Sequence, residues 1–287
     1  MQDEVFVPQR MLGLLGYPVG HSLGPLLHNW ALQENSLPWV YMSWSVPGQN
    51  LSSFLAAVRV LPIYGLSVTI PHKRAVMSAL DFCSRAAQKT GAVNTLYWSG
   101  EEICGDNTDC AGFAAPLLDL APELSSALIL GSGGAAQACI VALQDLGLEQ
   151  ILVSSRNQAR LQELQNTFDI QVVHWAETDQ APAQLLVNTT PVGMSGPNQE
   201  GTPFPGHILQ AFTWVYDLVY NPLETRLLQE AREAGCKTIS GLEMFLHQAQ
   251  AQFRLWSGSE FDVQQARQLL NNAMLRSTSG GLASSKG

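Results

Sequence analysis

The chain has 287 residues, of which 46% are hydrophobic and 14% charged, with a formal net charge of −9. Its charged fraction lies below the roughly 25% usual for soluble domains, and its apolar content is enough to build cores, which excludes an intrinsically disordered chain and leaves room for two modest domains. The surplus of 24 acidic over 15 basic side chains opposes nonspecific attraction to phosphate backbones and anionic bilayers. Neither nucleic acid nor a membrane is an expected partner, although one local basic pocket can still hold a phosphate.

No apolar run nears the roughly eighteen residues a membrane span needs. The opening MQDEVFVPQR lacks the basic-then-apolar layout of a secretory leader, so a cytoplasmic location is expected. Cys83, Cys104, Cys110, Cys139 and Cys236 are scattered and never form a C-x-x-C pair, which speaks for ordinary thiols over a disulfide framework or a zinc knuckle. His21, His28, His72 and His247 lack metal-ligand spacing, and no metal is expected.

Through the first half, short apolar runs alternate with amphipathic stretches. Strands are expected at MLGLLG (11–16), WVYMSWSV (39–46) and IYGLSVTI (63–70), with helical patterns near 25–35 and 49–60 and a further helix opened by Pro71. AVNTLYW (92–98) and EICGDN (102–107) read as two more strands, followed by a helical pattern from Asp109 to about Leu120. This βαβα order predicts a mostly parallel sheet.

A second unit opens at SALILGSGGAAQACIVALQDLG (126–147), where a buried strand meets a glycine turn and then a helix, with a strand ILVSS (151–155) after it. Further strands are expected at QLLVNTT (184–190) and TWVYDLVY (213–220), and a helix after Pro222 through about Ala234. One long helical pattern from Gly241 to about Leu275 is expected to fold back onto the domain where the chain began. The expected architecture is a three-layer α/β protein in which 1–108 and 242–276 form one discontinuous domain around a domain of 109–241. The Gly- and Ser-rich segment 277–287, STSGGLASSKG, is expected to be disordered.

Gly131, Gly133 and Ala136 fit G-x-G-x-x-A directly after an apolar strand and at a helix start. In that context Gly131 permits a tight turn, Gly133 lets the main chain approach a pyrophosphate, and Ala136 lets helix and strand pack closely. Ser132, Gly134 and Ala135 complete the loop, at a helix N-terminus that favours an anion. A glycine-rich turn in any α/β domain is the plainer alternative, but the flanking strand and helix favour a dinucleotide. After the next strand the run is Ser155-Arg156-Asn157, with Arg160 a turn later. The acidic residue that would hold the ribose hydroxyls of NAD is absent. Two guanidinium groups suit a 2′-phosphate, and so NADP, unless they are only a solvated helix face.

Ser67-Val-Thr69-Ile-Pro71-His-Lys73 lies at a strand end. On a first helical turn the dipole and desolvation would both lower a lysine's pKa, making Lys73 a proton donor near neutral pH; alone, it would read as a surface lysine. It is joined by GYPVGHS (16–22), SVTIPHK (67–73), GAVNT (91–95), NTD (107–109), GSGGAA (131–136), NTTPVGM (188–194), YNPLETRLL (220–228) and GLEMFLHQA (241–249). In this order, these blocks resemble the shikimate dehydrogenase family over about residues 11 to 258.

That resemblance implies a Rossmann-type NADP-binding domain and a discontinuous α/β substrate domain, with the active site in the cleft between them. It implies reduction of 3-dehydroshikimate to shikimate with NADPH in aromatic amino-acid (chorismate) biosynthesis. Lys73 and Asp109 resemble the family's catalytic pair. Ser22, Thr69, Asn94 and Gln248 resemble its groups for the substrate's hydroxyls and carboxylate, with Tyr220 further along the substrate side. The cofactor side would include Thr189, Pro191, Gly193 and Met194 of the NTTPVGM block, together with Leu218 and Gly241. Gln248 is one of three glutamines in QAQAQ (248–252) and could equally be a surface residue. Ser22 could simply help to start a helix.

Two substrate-side positions depart from the family pattern, and on the phosphate side Ser155-Arg156-Asn157 keeps the arginine but differs from the common Asn-Arg-Thr. Gly24 stands where a second serine usually holds the substrate carboxylate, and Ser67 stands where asparagine is frequent. Loss of a hydrogen bond to a charged group, about 1.5–3 kcal/mol, would weaken substrate affinity by roughly one to two decades. The alternatives are therefore a quinate/shikimate dehydrogenase with altered ring-acid preference, or a catalytically weak paralogue that senses NADP and a ring acid. A monomer or a homodimer would fit either reading.

Overall fold

The computed structural model describes residues 6–20, 22–181 and 183–280. It divides into two compact units, one running through Thr108 and resuming over Ala249–Leu270, the other comprising Asp109–Gln248 and the chain from Asn271.

The first unit carries β1 (Arg10–Gly16), α1 (Gly24–Glu34), β2 (Trp39–Ser45), α2 (Leu51–Val58), β3 (Ile63–Val68), β4 (Phe82–Cys83), α3 (Arg85–Thr90), β5 (Thr95–Ser99) and β6 (Glu102–Asp106). Its sheet runs β2-β1-β3-β5-β6-β4. The β1–β2, β1–β3 and β4–β6 pairs are parallel, while β5 is antiparallel to both β3 and β6. The β5–β6 hairpin turns at Gly100, whose φ of 63° lies in the left-handed region that glycine adopts without a Cβ penalty. Leu15, Leu66, Val68, Val76, Val93 and Leu96 form the core beneath this sheet.

The helix expected to open at Pro71 does not form. The chain turns through 71–74 into a short 3-10 segment, Ala75–Ala79. The Lys73 carbonyl accepts the Val93 N–H at 2.7 Å and so is committed to the start of β5, and buried His72 points Nε2 at the Val46 carbonyl at 2.7 Å. Tertiary bonds have replaced the helical ladder, and the helix-dipole argument for Lys73 falls with it.

In the second unit, α4 (Thr108–Ala114) leads to β7 (Ser126–Leu130), α5 (Gly134–Asp145), β8 (Gln150–Ser154), α6 (Gln158–Thr167), β9 (Gln171–Val172), β10 (Leu185–Asn188), β11 (Trp214–Asp217), α7 (Arg226–Glu233) and β12 (Lys237–Ser240). All pairs in its sheet, β12-β11-β10-β7-β8-β9, are parallel. Every residue of β7 is buried, as a strand covered on both faces by crossover helices must be.

The late helical stretch is two helices, α8 (Gly241–Ser257) and α9 (Val263–Gly280). Gly258, with φ 72°, ends the first, and Asp262 Oδ1 opens the second by accepting the N–H groups of Gln264 and Gln265 at 2.7 and 3.0 Å. The first two turns of α8 belong to the second unit because they pack on α4. An added Cβ at Gly112 would lie 2.6 Å from Gln248 Cβ and 2.7 Å from the Met244 carbonyl oxygen. Residues from Asn271 also group with the second unit, where the sequence suggested 242–276 for the first. The segment expected to be disordered from Ser277 is helical as far as Gly280, and 281–287 lie outside the described residues. No helix is long and apolar enough to cross a membrane among the described residues.

Candidate active site

In the parallel sheet, the strand order reverses between β7 and β10, and connections leave to opposite sides at that point, opening a crevice at the strands' carboxyl ends. The glycine loop occupies it. Gly131 has φ 119°, and an added Cβ there would overlap Thr189 Oγ1. Thr189 is itself fixed by two bonds to the Leu130 carbonyl, 2.9 Å from its N–H and 2.8 Å from its hydroxyl. An added Cβ at Gly133 or Gly134 would meet nothing within 4 Å, so this face of the loop is open where a phosphate would approach the N–H groups of α5. Ala136 is fully buried, as close helix-strand packing requires.

At the end of β8, Ser155 Oγ lies 2.8 Å from Ser132 Oγ, tying the glycine loop to the neighbouring turn. Asn157 caps α6, its Oδ1 accepting the Arg160 N–H at 3.1 Å. Arg156 and Arg160 are exposed, and neither is ion-paired among the described residues. Two guanidinium groups beside a helix N-terminus suit a doubly charged phosphate ester.

The loop after β10 is braced from beneath. Asn188 Nδ2 donates to Asp217 Oδ1 at 2.8 Å, while its Oδ1 accepts the Thr190 N–H at 2.9 Å. Asp217 Oδ2 accepts Thr225 Oγ1 at 2.6 Å. Burial pushes the Asp217 carboxyl above its ordinary value, against the opposing bonds from Thr225, Val219 and Asn188. This network, which sequence reasoning missed, holds the segment carrying Thr189, Pro191, Gly193 and Met194; Gly193 has φ 93° and Met194 is exposed. Gly241 starts α8 against the Leu218 carbonyl, which a Cβ would overlap. Tyr220 stacks on Phe245 with centroids 5.0 Å apart, and Gln248, a turn further along α8, donates to the Phe245 carbonyl at 3.1 Å. Asp109 lies on α4 one turn before Gly112, the point at which α4 meets Gln248.

In the first unit, Thr69, Lys73 and Asn94 gather at the carboxyl end of β3 and the start of β5. Thr69 N–H binds the Leu15 carbonyl at 2.8 Å, and the Lys73 carbonyl holds Val93, next to Asn94. Lys73 is half-buried. Asn94 is 2% exposed; its Oδ1 accepts the Thr108 N–H at 2.8 Å and Thr95 Oγ1 at 2.7 Å. Ser22 Oγ accepts the Gly24 N–H at 3.1 Å at the start of α1, so the helix-starting role is present and its proton is left for donation. An added Cβ at Gly24 would lie 3.2 Å from Ser22 Oγ and 3.5 Å from the Tyr41 hydroxyl. His21 lies outside the described residues.

Ser67 is engaged within the protein, accepting from the Tyr41 hydroxyl at 2.8 Å and donating to Gln252 Oε1 at 2.8 Å. Sequence reasoning missed Tyr41 and Gln252. The signal for Gln252 was its place one helical turn after Gln248, in register with the buried Trp256.

Comparison with known proteins identifies the family. The shikimate dehydrogenase substrate-binding domain matches residues 14–96, and the shikimate 5′-dehydrogenase C-terminal domain matches residues 241–270. A shikimate dehydrogenase (NADP(+)) of Maridesulfovibrio salexigens is 44% identical over 93% of this chain and 98% of its own length. The chain belongs to the shikimate dehydrogenase family. Family members of known structure share the fold: shikimate 5-dehydrogenase of Thermus thermophilus, solved with NADP(H) and shikimate, has a TM-score of 0.82 at 36% identity, covering 92% of this chain and 99% of that one. Quinate dehydrogenase of Corynebacterium glutamicum, solved with NAD, has a TM-score of 0.85 at 33% identity with the same coverage, 92% and 99%.

Proposed function

We propose that the chain interconverts 3-dehydroshikimate and shikimate with NADP(H), as a step of aromatic amino-acid biosynthesis. The observation that carries this reading is the alignment, over more than nine-tenths of the chain, with relatives named shikimate dehydrogenase (NADP(+)). The open glycine loop and the two arginines, exposed and without an ion pair among the described residues, support the cofactor. Gly131 to Ala136 would receive the pyrophosphate, and Ser155, Arg156, Asn157 and Arg160 the 2′-phosphate. Thr189, Pro191, Gly193, Met194, Leu218 and Gly241 would border the remainder. When bound, NADPH supplies a hydride to the ketone carbon and NADP+ accepts one from the alcohol.

The residues of the chain bind the ring and handle the proton. As negative charge grows on the C3 oxygen, the Lys73 ammonium stabilises it and gives it a proton; in oxidation the neutral amine takes that proton back. Asp109 is the carboxylate paired with Lys73 in this role. Asn94, Thr69, Ser22 and Gln248 bind the ring's hydroxyls and carboxylate, and Tyr220 borders them. Lys73→Ala is expected to lower kcat for shikimate oxidation about 10²–10⁴-fold with a smaller change in KM. Turnover near that of the unaltered chain would remove Lys73 from the mechanism.

A second ring acid is a second reading, because Gly24 offers no hydroxyl where it faces Ser22 and Tyr41. Initial rates on shikimate and quinate separate the two: the first reading predicts the higher kcat/KM for shikimate.

A further inference from the structure

The polar groups around Ser67 form one hydrogen-bonded chain with a single sense of donation. Tyr41 Oη donates to Ser67 Oγ at 2.8 Å and Ser67 Oγ to Gln252 Oε1 at 2.8 Å. Gln252 Nε2 then donates to the Asn94 carbonyl and to Thr95 Oγ1, both at 3.1 Å, and Thr95 Oγ1 donates to Asn94 Oδ1 at 2.7 Å. The direction is forced. A backbone carbonyl can only accept, so the Gln252 amide must present its nitrogen to Asn94 and its oxygen to Ser67. The Asn94 side chain is fixed in the same way, because the Thr108 N–H at 2.8 Å can only donate to Oδ1. Tyr41, Ser67, Gln252, Asn94, Thr95 and Thr108 are all under 9% exposed, where an unmatched polar group is costly and a matched one fixes geometry.

The head of the chain is held by packing. The Tyr41 ring stacks on His28 with centroids 4.6 Å apart, and His28 meets Trp256 at 5.1 Å. Trp256 Nε1 donates to the Leu96 carbonyl at 2.9 Å, and its ring fills the place of the missing Cβ of Gly65. The Tyr41 hydroxyl also stands between Gly24 and Ser67, the two substrate-side positions that depart from the family pattern. A serine has one proton to give, and that of Ser67 goes to Gln252.

We propose that Tyr41, Ser67 and Gln252 are positioning residues that fix the carboxamide of Asn94, so that Ser67 acts on the substrate site through Asn94 and not by touching the ring. This rests on the reading of Asn94 as a substrate-binding residue. The chain commits Asn94 Oδ1 inward and fixes the plane of its amide, whose Nδ2 donates to Thr108 Oγ1 at 3.0 Å; with the oxygen turned inward, the amino group is the end that would be offered to a ring hydroxyl. A loosened Asn94 amide would pay an orientation cost on each binding event, seen as a raised KM for the ring acid and not for the cofactor.

The test is steady-state shikimate oxidation by Tyr41→Phe and Gln252→Met, each in the full chain with native Asn94 and with Asn94→Ala. Tyr41→Phe removes one hydroxyl and keeps the ring stack, so it reports even where Gln252→Met folds poorly. Each single variant is expected to raise the KM for shikimate about threefold to tenfold, with the KM for NADP+ unchanged. In the Asn94→Ala background, Tyr41→Phe is expected to add no further rise. An equal rise in both backgrounds, or a lowered Tm with an unchanged shikimate KM, would overturn the proposal. Absence of shikimate turnover and binding in the unaltered chain would instead overturn the reading of Asn94, and this inference with it.

Discussion

His28 is 1% exposed, and its Nδ1 has no hydrogen-bond partner among the described residues. Burial lowers its pKa from 6.5 to about 3, opposed by a hydrogen bond with Gln252. The unfolded chain therefore binds a proton below about pH 6.5 that the folded chain refuses until about pH 3. From this group alone, stability is fully present above pH 6.5 and falls as pH drops, by ~1.4 kcal/mol per pH unit inside that window. His28→Phe, which keeps an aromatic ring against Tyr41, is expected to flatten the fall. Urea unfolding from pH 4 to 7 checks this, and parallel pH dependences for the two proteins would show that His28 does not carry the effect. The same residue illustrates what the sequence conceals at this scale. A histidine, a tyrosine and a tryptophan spread over more than two hundred positions carry no local sign that they will seal one polar chain. Among the QAQAQ glutamines only the fold separates buried Gln252 from Gln248, which bonds its own helix.

Between elements, the contact of α4 with α8 depends on Gly112. Replacing a mid-helix glycine by alanine gains about 1 kcal/mol in helix propensity. Here the added carbon would press on the Met244 carbonyl oxygen at 2.7 Å and the Gln248 nitrogen at 2.8 Å. Neither can swing aside as a side chain would, and such overpacking costs about 1–3 kcal/mol. The clash wins, so Gly112→Ala is expected to lower stability by ~1 kcal/mol and to raise the shikimate KM by shifting Gln248. Thermal unfolding with kinetics checks both, and a raised Tm would show that the helices adjust freely. At this scale the sequence was most legible where an apolar strand met a glycine turn, as in β7 and α5, since period and turn chemistry agree there. It was least legible at β4, β9 and β12, edge strands of two to four residues too short for any period to register. The false helix at Pro71 has a tertiary cause, the capture of the Lys73 carbonyl by Val93.

For the molecule as a whole, the two-unit α/β plan was readable because each unit repeats strand and helix in alternation. The seam was not, because one continuous helix, α8, belongs partly to each unit. The charge balance has a similar two-level character: a chain of net charge −9 repels phosphates in general yet carries, beside the glycine loop, two exposed arginines with no ion pair among the described residues. Activity and cofactor choice are tested together by the initial rate of shikimate oxidation with NADP+ and with NAD+, for the unaltered chain and for Arg156→Ala. Turnover of shikimate is expected with NADP+ favoured, and Arg156→Ala is expected to lose about tenfold in kcat/KM for NADP+ with little change for NAD+. Absence of NADPH formation from shikimate, or equal use of the two cofactors by the unaltered chain, would contradict this reading.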